Sequence, residues 1–512
     1  MSDSEVMSDS EFVPERRDGP PHMKRDLTEG PIARTLIMFS LPLLGTNALQ
    51  SLNFSANQFW VAHMLGVTAI TAIGNANVVS MLAQGAIFGA TMAANILIAQ
   101  SVGAGDLRMV KRVMGTAISF FFVLSVMLAF VGWTFAPHIL TAMRTPPAAR
   151  VDAILYLRIV FSAMPFMYFF MFIQMAQRGA GDSRTPFYFM ALAVVLDIIL
   201  NPLLIAGIGP FPKLGIAGSA TSTLIGQSVS LMLLLVHLYR KQSVLMLRPH
   251  ELGLLKPDWR ILRPLLVRGL PMSLQMFVMS GAAMVMVGFV NGFGAVTSAA
   301  YIGAQQVWNY IQMPGMAVGA SISSMAGQNV GAGRWDRVSR IAGIGILCSV
   351  AVTGTCAIII YLLGPLPLYI FLPLHSPTIP IALHINRTVL WAFVIFNATF
   401  ALTGIVRSTG AVWPPLLILV FSMLVIRVPF AWAFIPHFGS DAIWWSFPLG
   451  TLTSSALSVL YYKFGGWRKV RIINPEAGGS VPDSAVSTPQ MDPHEDDDAE
   501  LANPVARPVA VS

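Results

Sequence analysis

The sequence predicts an all-α polytopic membrane protein with twelve transmembrane helices in two pseudo-symmetric six-helix bundles. Three observations carry the prediction. The 512-residue chain is 55% hydrophobic, only 11% charged and has a mean hydropathy of +0.67, far more apolar than a soluble protein. Its apolar residues fall into runs long enough to cross a bilayer, about 20 residues each. The chain also repeats itself at a shift of 228 residues.

On the 20-residue ruler the spans fall at 35–60, 68–98, 115–136, 153–177, 186–208 and 217–239 in the first half, and at 264–290, 297–323, 341–363, 387–406, 414–436 and 441–463 in the second. Basic residues collect in alternate loops: Arg108, Lys111 and Arg112; Arg178 and Arg184; Arg240, Lys241, Arg248, Lys256 and Arg260; Arg334, Arg337 and Arg340; Arg407. Arg468, Lys469 and Arg471 follow the last span, whereas the intervening loops carry only Arg144, Arg150 and Lys213. The positive-inside rule then puts both termini in the cytoplasm of a cell inner membrane. This distribution, with bases in short loops between apolar runs, also accounts for the net charge of +8 without any nucleic-acid partner. The lipid bilayer is the expected macroscopic partner, a monomer the expected state, and no cofactor is implied.

Residues 1–30 and 465–512 are polar and hold most of the acids, including EDDDAE at 495–500, and read as disordered cytoplasmic tails. The first tail has no apolar stretch near its start, so no cleavable signal peptide is expected. Cys348 and Cys356 lie eight positions apart in one predicted helix, about 12 Å along its axis, too far for a disulfide.

The repeat pairs QSVGAGDLRMVKRV (100–113) with QNVGAGRWDRVSRI (328–341), RTLIMFSLPLL (34–44) with RPLLVRGLPMS (263–273), and RGAGDSRTP (178–186) with RSTGAVWPP (407–415). Several matches at shifts of 228 or 229 divide the chain into lobes at 31–240 and 262–464, joined by a basic linker at 241–261. Because six is even, both lobes start on one side and are related by an axis along the membrane normal. That is the parallel-repeat plan of secondary transporters. The glycines of VGAGD are expected to supply positive φ in the turn between two long helices.

Asp197, in LDIILNP (196–202), is the one acid of 24 that lies deep in a predicted span. An ionised carboxylate at the bilayer centre costs about 2.5–3.5 kcal/mol on insertion scales, so it must be paired, protonated or facing water, and such groups are functional by default. Asn201 is one turn away on the same face, and Pro202 frees the carbonyl of Ile198. These hard oxygens suit a proton-accepting network or a sodium ion, with Asp197 as the metal ligand. In the second half Gln275, Gln305, Gln306 and Asn309 form a polar island, and Met171, Met175, Met284 and Met286 could line a promiscuous apolar wall. Arg427 is the one base deep in that half, expected to be packed against backbone carbonyls.

LTEGPIARTLIMFSLPLLGTNALQSLNFSANQFWVAHMLG (27–66), the VGAGD loop, RGAGDSRTP and GIAGSATSTLIGQ (215–227) resemble the multidrug and toxic compound extrusion (MATE) family, over roughly residues 27–465. The similarity points to the prokaryotic, DNA-damage-inducible-F-like branch. It implies antiport: efflux of amphipathic, often cationic drugs or metabolites against inward protons or sodium. It further implies that Asn57 and Thr223 complete the ion-coupling site with Asp197 and Asn201, and that Gln50 and Gln174 face substrate, beside the candidates Gln275, Gln305 and Asn309. Two departures fall on that site. FSANQFWVA has Asn57 where the branch usually carries an acid, and DIILNP exchanges acid and amide between 197 and 201 relative to the usual NIVLDP. A lipid-linked saccharide flippase of the same superfamily would carry extra spans and a strongly cationic cavity. A membrane enzyme would need clustered acids or histidines, and neither pattern occurs.

Overall fold

A computed structural model describes residues 26–143, 147–373 and 376–470. Twelve long helices follow one another: α1 Ile32–Leu65, α2 Val67–Gly103, α3 Leu107–Ala142, α4 Pro147–Gly179, α5 Arg184–Ala206, α6 Ile216–Arg240, α7 Trp259–Asn291, α8 Ala295–Gly331, α9 Trp335–Leu363, α10 Thr378–Ser408, α11 Trp413–Phe438 and α12 Asp441–Phe464. Among the described residues, ten are long and apolar enough to cross a membrane; α8 and α12 are the other two. Most run several residues beyond the apolar spans, because capping rather than hydropathy decides where a helix ends.

The VGAGD turn shows this. Gly105 takes a φ of 72° and its repeat mate Gly333 a φ of 70°, a region that costs a side-chain-bearing residue energy. In the first copy Asp106 then caps α3, its carboxylate accepting from Met109 N–H at 2.8 Å. The second copy has Arg334 at the matching position and no side-chain cap.

The two lobes interlock at the end of the bundle that carries the linker, in a pattern that repeats with the sequence. Gln100 near the end of α2 donates to the carbonyl of Ser408 at 2.7 Å, and its mate Gln328 near the end of α8 donates to the carbonyl of Gly179 at 2.8 Å. Gly103 lies so close to Gln328 that a Cβ would collide with its carbonyl, and Gly331 has the same relation to Gln100. Farther along, Ser40 of α1 donates to Ser321 of α8 at 2.8 Å, and Ser273 of α7 to the carbonyl of Ala86 in α2 at 2.8 Å. Small residues at crossings let backbones approach where no hydrophobic force drives helices together.

The segment that enters α1 docks on the end of α8 and the start of α9, and the segment that enters α7 docks on α3. Leu27 is fully buried and exchanges hydrogen bonds with Gln328 and Asn329, while Arg334 and Arg337 donate to the carbonyls of Thr28, Glu29 and Gly30. In the linker a short 3₁₀ turn, Pro249–Leu255, is fastened to α3 by Lys111–Glu251 and by Arg112–Asp258 at 2.5 Å. The tails expected at 1–30 and 465–512 lie outside the described residues except at their inner ends. Those ends need correction: Leu27 is core, and Trp467 is 1% exposed, stacked on Tyr462 and donating to its carbonyl at 2.8 Å. Both are large apolar side chains in otherwise polar segments, which is why they pack.

Candidate functional site: a carboxylate cradle between α1, α5 and α6

Helices α5 and α6 meet along glycines and serines. A Cβ at Gly226 would press on the carbonyl of Ala193 and approach Asp197, and one at Gly218 would strike the backbone of Leu204. This close approach buries Asp197 to 2% exposure and Asn201 completely, inside a helix that continues through Pro202 to Ala206.

Three side chains donate to the Asp197 carboxylate. Ser222 of α6 reaches Oδ1 at 2.5 Å, Thr223 reaches Oδ2 at 3.1 Å and Oδ1 at 3.3 Å, and Asn57 of α1 donates its Nδ2 to Oδ2 at 3.2 Å. Asn201 completes the ring: its Nδ2 donates to Asn57 Oδ1 and lies 3.5 Å from Ser219 Oγ. No cation pairs with Asp197 among the described residues. Hydrogen bonds to a charged acceptor are the strong kind, about 1.5–3 kcal/mol each, so three donors offset much of the desolvation of an ionised carboxylate. Asn201 Oδ1, by contrast, is buried with no donor. An acceptor in that state costs about 1–3 kcal/mol and is available to a proton donor or a small hard cation. Asn57 and Thr223 are only half-buried, so they form the wall between Asp197 and the accessible side.

All four expected coupling residues therefore meet at one point. Two contributors were missed. Ser222 stands beside Thr223 in ATSTLIGQ, and Tyr156 of α4 lies within electrostatic reach of Asp197. The serine was legible as a polar residue; its tyrosine neighbour depends on how α4 packs, which no local pattern encodes.

The substrate-facing candidates disperse. Gln50 is exposed on α1, whereas Gln174 is buried between α4 and α5 with Nε2 3.9 Å from Met190 Sδ. In the second half Gln275 keeps a buried Nε2 without a partner, Gln305 lies beside the Tyr301 hydroxyl, and Asn309 donates to Gln306 at 3.2 Å on the exposed face of α8. Met286 has no exposed surface and belongs to the core of the second lobe, not to a substrate wall. The expectation for Arg427 also needs correction. A π-helical stretch, Phe421–Arg427, just ahead of Pro429 turns its side chain onto Met423 Sδ (3.6 Å) and over the Phe447 ring (4.8 Å), not onto carbonyls.

The family model described as MatE matches residues 42–203 and again 271–433, one match per lobe. The chain belongs to the multidrug and toxic compound extrusion family. This MATE transporter is thus a multi-pass membrane carrier and not an enzyme. It is 34% identical over 442 residues to the probable multidrug resistance protein YoeA of Bacillus subtilis, covering 86% of this chain and 95% of the relative. It is 26% identical to the probable multidrug resistance protein NorM of Thermotoga maritima, over 87% of this chain and 95% of that one. Its fold matches a crystal structure of MATE in the straight conformation with a TM-score of 0.79 at 20% identity, over 85% of this chain and 96% of the other.

Proposed function

We propose that this MATE transporter exports amphipathic, often cationic small molecules in exchange for protons or sodium ions entering the cell, by alternating access between its two lobes. The observation that carries the reading is the cradle. Among the described residues Asp197 is the single buried carboxylate, held by donors from α1 and α6, with an unused buried acceptor, Asn201 Oδ1, beside it on α5. A proton on Asp197 or a sodium ion among these oxygens removes the charge that Ser222, Thr223 and Asn57 hold in place. The hydrogen bonds from those donors then lose their charge assistance and rearrange, and because the donors come from α1 and α6, loading alters how α1 packs on α5 and α6. The names of the relatives support a multidrug substrate range. The basic loops support an inner-membrane protein with both termini in the cytoplasm, working without a cofactor and as a monomer.

The test is uptake of a fluorescent cationic dye by proteoliposomes under independently imposed pH and sodium gradients. Gradient-driven transport is expected in wild type and absent in Asp197→Asn. Full gradient-driven transport by that variant would overturn the reading, and the gradient that supports wild-type transport identifies the ion.

A further inference from the structure

The end of α6, the start of α3 and the interlobe linker line an open cavity of about 520 Å³ that contains none of the residues of the Asp197 cradle. Its rim is basic: Arg108, Lys111, Arg248 and His250. The one carboxylate there, Glu251, is already engaged, accepting from Lys111 Nζ and, at 2.9 Å, from the backbone N–H of Arg248. Among the described residues neither the Arg108 nor the Arg248 side chain has a carboxylate within ion-pair distance, and both are exposed. The floor is apolar, made by Val244, Met246 and Leu247.

Two further features bear on what fits there. Gln242, which lines the cavity, has a φ of 48° and is the one non-glycine described residue in the left-handed region. Such a conformation costs on the order of 1 kcal/mol and persists where the surroundings require it; here it reverses the chain out of α6 so that Arg248 returns beside α3. Above the cavity, Met232, Val236 and Tyr239 stand exposed on one face of α6, spaced four and three apart, and Tyr239 reaches the cavity mouth. A greasy track on a membrane-spanning helix leads directly into a basic pocket.

We propose that this cavity binds the phosphate of an anionic phospholipid, with an acyl chain lying along the α6 track. Arg108 and Arg248 hold the phosphate, Lys111 is shared between it and Glu251, and the apolar floor takes the glycerol end of the chain. A lipid seated there joins α3, α6 and the linker, so it steadies the segment that couples the two lobes. The leaflet is the inner one on the orientation proposed above; binding itself does not depend on that orientation or on the coupling site.

The experiment uses the full-length protein in detergent, with retained lipid read by native mass spectrometry and the melting temperature read as phosphatidylglycerol, phosphatidylcholine or inorganic phosphate is titrated. Phosphatidylglycerol is expected to remain bound and raise the melting temperature, while phosphatidylcholine and phosphate do neither. Arg108→Gln with Arg248→Gln is expected to weaken binding by roughly tenfold or more, from the loss of two basic contacts at a lipid surface. Arg184→Gln with Arg340→Gln removes the same charge from exposed positions outside the cavity and should leave binding unchanged, as should Asp197→Asn. Equal loss in this control pair, or equal stabilisation by phosphatidylcholine, overturns the site; equal stabilisation by free phosphate overturns the lipid in favour of a soluble anion.

Discussion

Asp197 is held by neutral donors alone, and this sets what each neighbour contributes. Replacing it with asparagine keeps shape and volume, so Asp197→Asn should reach the membrane at wild-type levels while losing gradient-driven efflux. Western blotting of the membrane fraction beside dye export separates the two. Ser222→Ala deletes the shortest hydrogen bond to the carboxylate, 2.5 Å, worth about 1.5–3 kcal/mol because the acceptor is charged. The expected consequence is a fall of roughly tenfold or more in export at a fixed gradient, whereas Ser230→Ala, on the same helix with a buried hydroxyl that makes no hydrogen bond, should leave export unchanged. If the two variants behave alike, Ser222 is packing and not part of the cradle. The sequence identified Asp197 and Asn201 because a lone acid in an apolar run is a strong physical signal. Asn57 and Thr223 came from the family resemblance. Ser222 was legible as polar but not as a partner of Asp197, because two adjacent residues on a helix ordinarily face about 100° apart; the close α5–α6 contact through Gly226 lets both reach one carboxylate.

The linker turn and the helix ends work as elements, and their energetics differ from the cradle's. Burial raises the proton affinity of the Glu251 carboxyl, but the Arg248 N–H and the Lys111 ammonium more than offset this and hold it below its ordinary 4.5. Asp258 behaves alike: burial raises it, the Arg260 N–H and the Arg112 guanidinium prevail, and it lies below its ordinary 3.8. A carboxyl whose folded value is depressed binds its proton more readily when undocked, so docking is favoured above the ordinary value and is lost as pH falls through the folded one. The linker should therefore stay fastened to α3 at neutral pH and release only in acid, as pH falls below the ordinary carboxylate range and through the depressed folded values. Limited proteolysis at the linker across that range checks it. Glu251→Gln with Asp258→Asn should be cleaved at neutral pH as readily as wild type is in acid; unchanged resistance would remove the ion pairs as fasteners. The hydropathy pattern made the helices and the loop charges legible, yet it ended α1 five residues early and gave no sign of the π-helical stretch at Phe421–Arg427. Helix ends are decided by caps and turns, and a π stretch by how one helix seats on its neighbours, neither of which leaves a periodic trace. Leu27 and Trp467 escaped for a related reason: a single buried side chain in a polar stretch is invisible to any window average.

Across the whole molecule the repeat becomes a mechanical symmetry. Gln100 and Gln328, and Gly103 and Gly331, join the two lobes twice over at the linker end; Ser40–Ser321 joins α1 to α8 a few turns in from that end, and Ser273–Ala86 joins α7 to α2 near mid-helix. The repeat was visible in the sequence as QSVGAG and QNVGAG; that each glutamine caps a helix end of the opposite lobe was not, since a shift of 228 says what is alike and not what touches. On the orientation proposed above, alternating access between lobes requires the contacts at the linker end to break once per cycle, because substrate is admitted there. Each buried hydrogen bond between membrane helices is worth about 0.6 kcal/mol on average and at most about 1.7, so the closure is held by many weak contacts and is easily reversed. A covalent bond at the same place is not. With Cys348 and Cys356 replaced by alanine, Ser40→Cys with Ser321→Cys places two thiols where the hydroxyls stand 2.8 Å apart. Mild oxidation should cross-link the pair and stop dye transport in proteoliposomes, and reductant should restore it, while either single variant is indifferent to both reagents. Transport that continues at full rate with the cross-link formed would mean that the lobes need not part at this end, and the exchange would have to proceed within one lobe alone.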